Sequence, residues 1–198
     1  KLLIEEINNV SFEEIKFNRN TNLIETISGL IDEEFISSSI KTGKVDDITD
    51  RENIKIVFTS LHGTSSTIMP KVFEKIGYKN VLYVQEQMEP DGNFPTVESP
   101  NPEEKEALSL GLDLAKQSDA DIVIGTDPDA DRLGIAVKDL NNDYILLNGN
   151  QLMVIMIDFL LNNLKSENKL NTSQFIATTI VSTPLVGEIA NYYNIDCK

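Results

Sequence analysis

The alternation of strand-like and helix-like runs between residues 54 and 137 constrains this chain more than any other feature. Ile54-Lys-Ile-Val-Phe58, Val81-Leu-Tyr-Val84 and Asp121-Ile-Val-Ile-Gly125 are short runs rich in β-branched and apolar residues. Between them, Thr64 to Ile76 and a stretch ending near Gln117 carry helical spacing. Strand, helix, strand, helix, strand in that order requires crossover connections, which build a parallel layer covered by helices. Gly77 stops the first helix, and Pro70 must sit in its opening turn or kink it. Asn101-Pro102-Glu103-Glu104 supplies an N-cap, a first-turn proline and a third-position glutamate, which predicts a helix from there to Gln117. Leu133 to Val137 and Tyr144 to Leu147 read as a hairpin around Asp139-Leu-Asn-Asn-Asp143. The expected fold is α/β, a parallel or mixed sheet flanked by helices.

The flanks extend this pattern. From Thr21 to Lys41 the residues Leu23, Ile24, Ile27, Leu30, Ile31, Phe35, Ile36 and Ile40 recur at helical steps, predicting one helix packed on something larger. Lys41 to Glu52 is polar and reads as a linker. After residue 148 the pattern restarts with a helix from Gly149 to Asn163, a strand from Phe175 to Val181, and a helix capped by Thr183 with Pro184 first. The expected organisation is a helical lead-in over 1–50, an α/β domain over 51–148, and the truncated opening of a second α/β domain over 149–198. A start without methionine and an end where another strand is due suggest a piece of a longer protein.

Composition excludes several classes of function. Seventeen Lys and Arg against thirty-two Asp and Glu give a net charge of −15, which repels phosphate backbones, so nucleic acid is not an expected partner. The longest apolar run, Leu152 to Leu161, contains Asp158 and falls short of the roughly 20 residues a membrane span needs. A membrane partner is not expected either. Cys197 is the single cysteine, which rules out an internal disulfide and fits a cytoplasmic setting.

The chemistry concentrates in Asp127-Pro128-Asp129-Ala130-Asp131-Arg132, directly after the run Ile122-Val-Ile-Gly125. That places it at the carboxyl end of a parallel strand, where ligands of open α/β sheets bind. Three carboxylates at alternate positions repel one another, by about 1 kcal/mol for a pair roughly 4 Å apart even in water. An oxygen-only set of this kind suits Mg²⁺, Mn²⁺ or Ca²⁺ rather than zinc. Arg132 is placed to pair with a phosphate. An EF-hand starting at Asp127 fails, because its sixth and twelfth positions are Arg132 and Lys138. The bland alternative is a solvated acidic turn.

Two further segments stand out. Leu61-His62-Gly63-Thr64-Ser65-Ser66 is a strand-to-helix turn with a glycine for close approach and hydroxyls where a helix N-terminus would favour an anion. His62 and Gly63 are therefore candidate phosphate contacts. The alternatives are a helix capped by Thr64 or Ser65, and a structural histidine. Glu89 to Pro102, dense in Pro and Gly, reads as a long ordered loop, functional or merely connecting.

Taken together, these segments resemble the α-D-phosphohexomutase family, in its phosphoglucomutase and phosphopentomutase branch. The likeness lies in the His62-Gly63 turn, Pro90-Asp-Gly-Asn-Phe-Pro-Thr96 with Pro100-Asn-Pro-Glu103, and Asp127-Pro-Asp-Ala-Asp-Arg-Leu-Gly134. Asn148-Gly-Asn-Gln-Leu152 and Thr179-Ile-Val-Ser-Thr183 resemble the start of that family's third domain. The resemblance implies Mg²⁺ on Asp127, Asp129 and Asp131, with Arg132 contacting a phosphoserine or substrate phosphate. It implies phosphoryl transfer between a phosphoserine on another domain and a sugar phosphate, which exchanges its 1-phosphate for a 6-phosphate, or a 5-phosphate in pentoses. The phosphoserine segment Thr-x-Ser-His-Asn-Pro, the sugar loop and the phosphate loop of that family are not found in these 198 residues. Thr178 stands where members often carry a lysine. The chain would then need the remaining domains and be inactive alone.

Two rival readings follow from the same residues. Asp127-x-Asp129 after a strand resembles a haloacid-dehalogenase-like aspartyl phosphotransferase, although that motif prefers Thr or Val where Asp131 stands. The other rival is a noncatalytic module that binds metal or phosphate.

Overall fold

A computed structural model describes residues 2–18, 20–25, 27, 29–43 and 50–198. By packing, the chain divides into two units, Lys1–Phe35 and Ile36–Lys198. The first contains helix α1 (Leu2–Asn9) and two short 3₁₀ turns, Phe12–Glu14 and Thr21–Leu23, none of which buries a residue. The helix expected from Thr21 to Lys41 is confined to α2 (Leu30–Gly43). Leu23, Ile24 and Ile27 are exposed, and an apolar stripe with nothing packed on it does not hold a helix. In the second unit α2 buries Ile36 fully. Six residues of the expected linker, 44–49, lie outside the described residues.

The second unit is built on a five-stranded sheet. Its strands are β1 (Lys55–Thr59), β2 (Asn80–Tyr83), β3 (Ile122–Thr126), β4 (Leu133–Lys138) and β5 (Tyr144–Leu147). Their order is β2-β1-β3-β4-β5, with β1 parallel to both β2 and β3, and with β4 and β5 antiparallel. The sheet is therefore mixed. Helix α3 (Met69–Ile76) links β1 to β2, and α4 (Ser109–Ser118) links β2 to β3. Each helix takes one face, as the period of two along a strand requires. Val57, Val123 and Ala136 pack with Leu108, Leu112 and Ala115 on the α4 side. Ile56, Phe58, Ile122 and Ile124 pack with Phe73 and Met69 on the other.

Local signals set the ends of these helices. Pro70 lies in the first turn of α3, and Gly77 closes it at φ 92°, where a side chain would be strained. The Asn101 cap forms as expected: its Oδ1 accepts the Glu103 N–H at 3.1 Å, and its Nδ2 donates to Glu104 Oε1 at 2.9 Å. It closes only a separate turn, however, and α4 starts at Ser109. Pro102 explains the delay. It lies fully buried on Gly125 and Gly134, which pair across β3 and β4, so the turn is pinned to the sheet before the helix begins.

The remaining residues form helix α5 (Gly149–Ser166), β6 (Phe175–Ile176), α6 (Leu185–Tyr192) and β7 (Asp196–Cys197). Asn148 caps α5 through the Gln151 N–H at 3.0 Å, and Gln151 returns the bond to the Asn148 N–H. Leu161, Ala190, Tyr193 and Ile195 form a small core there. The strand expected from Phe175 to Val181 is only two residues long, matching its parallel partner β7. Residues 179–182 turn instead, leaving Ile180 and Val181 exposed. Thr183 Oγ1 accepts the Leu185 N–H at 3.4 Å, with Pro184 standing at the N-cap position. Among the described residues no helix is long and apolar enough to cross a membrane.

Candidate functional site

β1 and β3 are parallel neighbours, with Thr59 opposite Gly125, so the chain leaves both at the same edge of the sheet. One exit is Ser60-Leu61-His62-Gly63; the other is Asp127 to Arg132. The two loops touch. The Thr64 N–H donates to the Pro128 carbonyl at 2.8 Å, and Thr64 Oγ1 donates to the same oxygen at 3.1 Å. Beneath them Ser65 Oγ and Thr126 Oγ1 share a buried hydrogen bond of 2.6 Å.

Within the second loop the sequence dictates a tight return. The Ala130 N–H donates to the Asp127 carbonyl at 3.0 Å, and Ala130 takes the left-handed region at φ 62°. Asp127 is 1% exposed, whereas Asp129 and Asp131 face solvent. One oxygen from each of the three carboxylates falls within 4.8 Å of the others. The sequence reading thus brought together three side chains that converge in space. Asp127 is also held by Arg132: its Oδ1 accepts the Arg132 N–H at 2.9 Å, and its Oδ2 accepts Nε–H at 2.7 Å.

Electrostatics separates the three acids. Burial pushes the Asp127 carboxyl up, but hydrogen bonds from the Arg132 backbone N–H, the Arg132 guanidinium and Asp131, together with the Arg132 charge, outweigh it and hold the group below the ordinary aspartate value. Asp131 moves the other way, raised by its hydrogen bond to Asp127 and by the charges of Asp129 and Asp127. Such a cluster is stabilised by a cation, and its all-oxygen donors fit Mg²⁺. The Arg132 side chain is 56% exposed, which leaves its outer nitrogens open to an anion.

The first loop differs from its expected role. His62 is 4% exposed, and both ring nitrogens have partners inside the protein. Nδ1 lies 3.2 Å from the Glu89 carbonyl, and Nε2 lies 2.9 Å from Thr96 Oγ1. The Gly63 N–H donates to the Ser60 carbonyl at 2.8 Å. Neither residue has a donor left for phosphate in this arrangement. The close approach made possible by Gly63 is to protein, since a Cβ there would lie 2.4 Å from Pro128 Cα. Thr64 and Ser65 do not cap α3 either, because their side chains reach Pro128 and Thr126, and α3 starts only at Met69.

Gln87 and Thr96 were not singled out individually from the sequence. Gln87 is 1% exposed and accepts from Thr59 Oγ1 at 2.6 Å, while its Nε2 donates to Thr96 Oγ1 at 3.0 Å. The density of Pro and Gly in 89–102 was the available signal, since it marks a loop with a fixed path.

Comparison with known proteins accounts for this arrangement. Residues 33–141 match the family model described as phosphoglucomutase/phosphomannomutase, alpha/beta/alpha domain II. The phosphoglucomutase of Staphylococcus saprophyticus is 37% identical over 147 residues, covering 74% of this chain and 26% of that protein. The phosphoglucomutase of Staphylococcus epidermidis is 38% identical over 148 residues, covering 75% and 26%. The chain thus spans about a quarter of the length of these curated relatives. Among solved structures, a phosphoglucomutase/phosphomannomutase family protein of Burkholderia thailandensis has the same fold, with a TM-score of 0.64 at 18% identity over 84% of this chain and 32% of its own. The match runs through both loops and all of the sheet except β5, and the chain belongs to the phosphoglucomutase/phosphomannomutase family through its α/β/α domain II.

Proposed function

We propose that this chain supplies the metal-binding part of a phosphohexomutase that interconverts sugar 1-phosphates and 6-phosphates, or 5-phosphates in pentoses, by phosphoryl transfer. The observation that carries the reading is the convergence of three carboxylate oxygens within 4.8 Å at the carboxyl end of β3, beside the half-exposed Arg132 side chain. Asp127, Asp129 and Asp131 would hold Mg²⁺, which when bound polarises a phosphoryl oxygen as a Lewis acid. Asp127 anchors the loop through Arg132, and Arg132 directs its outer N–H groups toward a phosphate oxygen. Asp129 and Asp131 stay solvent-facing and accessible to a partner domain. His62 and Gly63 are assigned no phosphate contact, because their donors are engaged within the protein.

In this reading residues 51–148 form the metal-binding domain and 149–198 open a following α/β domain. The phosphoserine and the sugar-recognition loops come from the remaining domains of a longer cytoplasmic enzyme, and the chain alone turns over nothing. The test is conversion of glucose 1-phosphate with Mg²⁺ present, for the 198-residue chain and for a longer protein containing it. Turnover by the longer protein alone, lost in Asp129→Ala, supports the reading. Turnover by the chain itself, or a phospho-aspartate trapped at Asp127, would contradict it and favour the aspartyl phosphotransferase.

A further inference from the structure

We infer that His62 is a positioning residue for the aspartate loop, acting through the turn on which that loop rests. The inference builds on the metal role proposed for Asp127, Asp129 and Asp131, but its main readout does not depend on metal. Leu61 and His62 are consecutive residues in the left-handed region, at φ 46° and 62°. Residues other than glycine keep such a conformation only where the surroundings hold them there, and such positions gather at functional sites. The imidazole does the holding. The Glu89 carbonyl can only accept, so Nδ1 carries the hydrogen and donates to it, and in that tautomer Nε2 accepts from the Thr96 hydroxyl, whose oxygen accepts from Gln87 Nε2. The backbone adds the His62 N–H to the Gln87 carbonyl at 2.8 Å, and the Asp91 N–H to the His62 carbonyl at 3.1 Å.

This clamp ties the exit of β1 to residues 87–96, and the geometry it enforces faces the other way. With Leu61 and His62 so turned, the chain delivers Gly63 against Pro128 and aims the Thr64 N–H at the Pro128 carbonyl. Pro128 lies between Asp127 and Asp129, so the height of that carbonyl sets the spacing of the carboxylates. Among the described residues no hydrogen bond joins the ring to a carboxylate, so its influence runs through backbone.

The test is amide hydrogen exchange in the 198-residue chain, comparing His62→Ala with a core variant in helix α3, Phe73→Leu, that packs on the same sheet and also loses stability. His62→Ala is expected to accelerate exchange at the Thr64, Ala130 and Arg132 amides at least tenfold relative to the β4–β5 amides. Thr96→Val is expected to act in the same direction, and Thr96→Ser to behave as wild type. Mn²⁺ binding, followed by electron paramagnetic resonance, is expected to weaken about tenfold or more in His62→Ala and to be unchanged in Phe73→Leu. If His62→Ala loosens all amides as evenly as Phe73→Leu, or leaves those three unchanged, the inference is overturned. Wild type and Asp129→Ala binding Mn²⁺ alike would overturn the metal reading, while the exchange data still decide the positioning role.

Discussion

Gly63→Ala puts a single methyl group where the two loops meet. Its Cβ would lie 2.4 Å from Pro128 Cα and 2.6 Å from the Pro128 carbonyl oxygen, both backbone atoms that cannot rotate away. Gly63 sits at φ −103°, a conformation alanine adopts freely, so the whole effect is steric. Ordinary contact distances near 3.5 Å require the loop to retreat by roughly 1 Å. That retreat breaks the two hydrogen bonds from Thr64 to the Pro128 carbonyl, at about 1 kcal/mol each, and overpacking adds about 1–3 kcal/mol. Alanine returns about 0.4–1 kcal/mol by restricting the unfolded chain. The net expectation is a loss of about 2–5 kcal/mol, or about 4–20 °C in melting temperature for a chain of this size. Urea unfolding followed by circular dichroism measures it, with Gly92→Ala as the control, since a Cβ at Gly92 meets nothing within 4 Å. Equal stability of the two variants would refute the tight contact between the loops.

Gly134→Ala should destabilise more than Gly63→Ala, because its Cβ would lie 1.9 Å from the Pro102 carbonyl oxygen; the same urea series ranks the two. Asp127→Asn should cost about 1–3 kcal/mol, since its amide group would turn a donor toward Arg132 Nε–H while Oδ1 keeps the backbone bond; calorimetric melting without metal checks this. In the hairpin, the Asp143 N–H, opposed in part by desolvation and aided by Asn141, holds the Asp139 carboxyl below its ordinary value. A depressed folded value means that this support is complete above the ordinary aspartate range and disappears as pH falls through the folded value. The Asp143 amide proton, followed by NMR, should therefore titrate below that range, and Asp139→Ala should abolish the transition.

The five strands and the hairpin were legible because their cues are local: β-branched runs, Gly77 past α3, and the Asn-rich turn after Asp139. Asp127, Asp129 and Asp131 could be named together because they lie close in sequence, whereas the approach of their oxygens to within 4.8 Å comes from the way the loop folds. Two features were set by packing that no local pattern encodes. Leu23, Ile24 and Ile27 keep helical period while exposed, and the turn at Asn101 is stopped by Pro102 lying on Gly125 and Gly134. The role of His62 was hidden because its ring partners, Glu89 and Thr96, lie 27 and 34 residues further along. A glycine after a strand suggests close approach, but only the fold shows that the approach is to Pro128.

The central claim is that the three aspartates form a divalent-cation site, and calorimetric titration of Mg²⁺ into the chain and into Asp129→Ala tests it most directly. The account predicts weak one-site binding by the wild type that is lost in the variant. Identical titrations of the two proteins would contradict it and leave Asp127 to Asp131 as an acidic turn held in shape by Arg132 and Thr64.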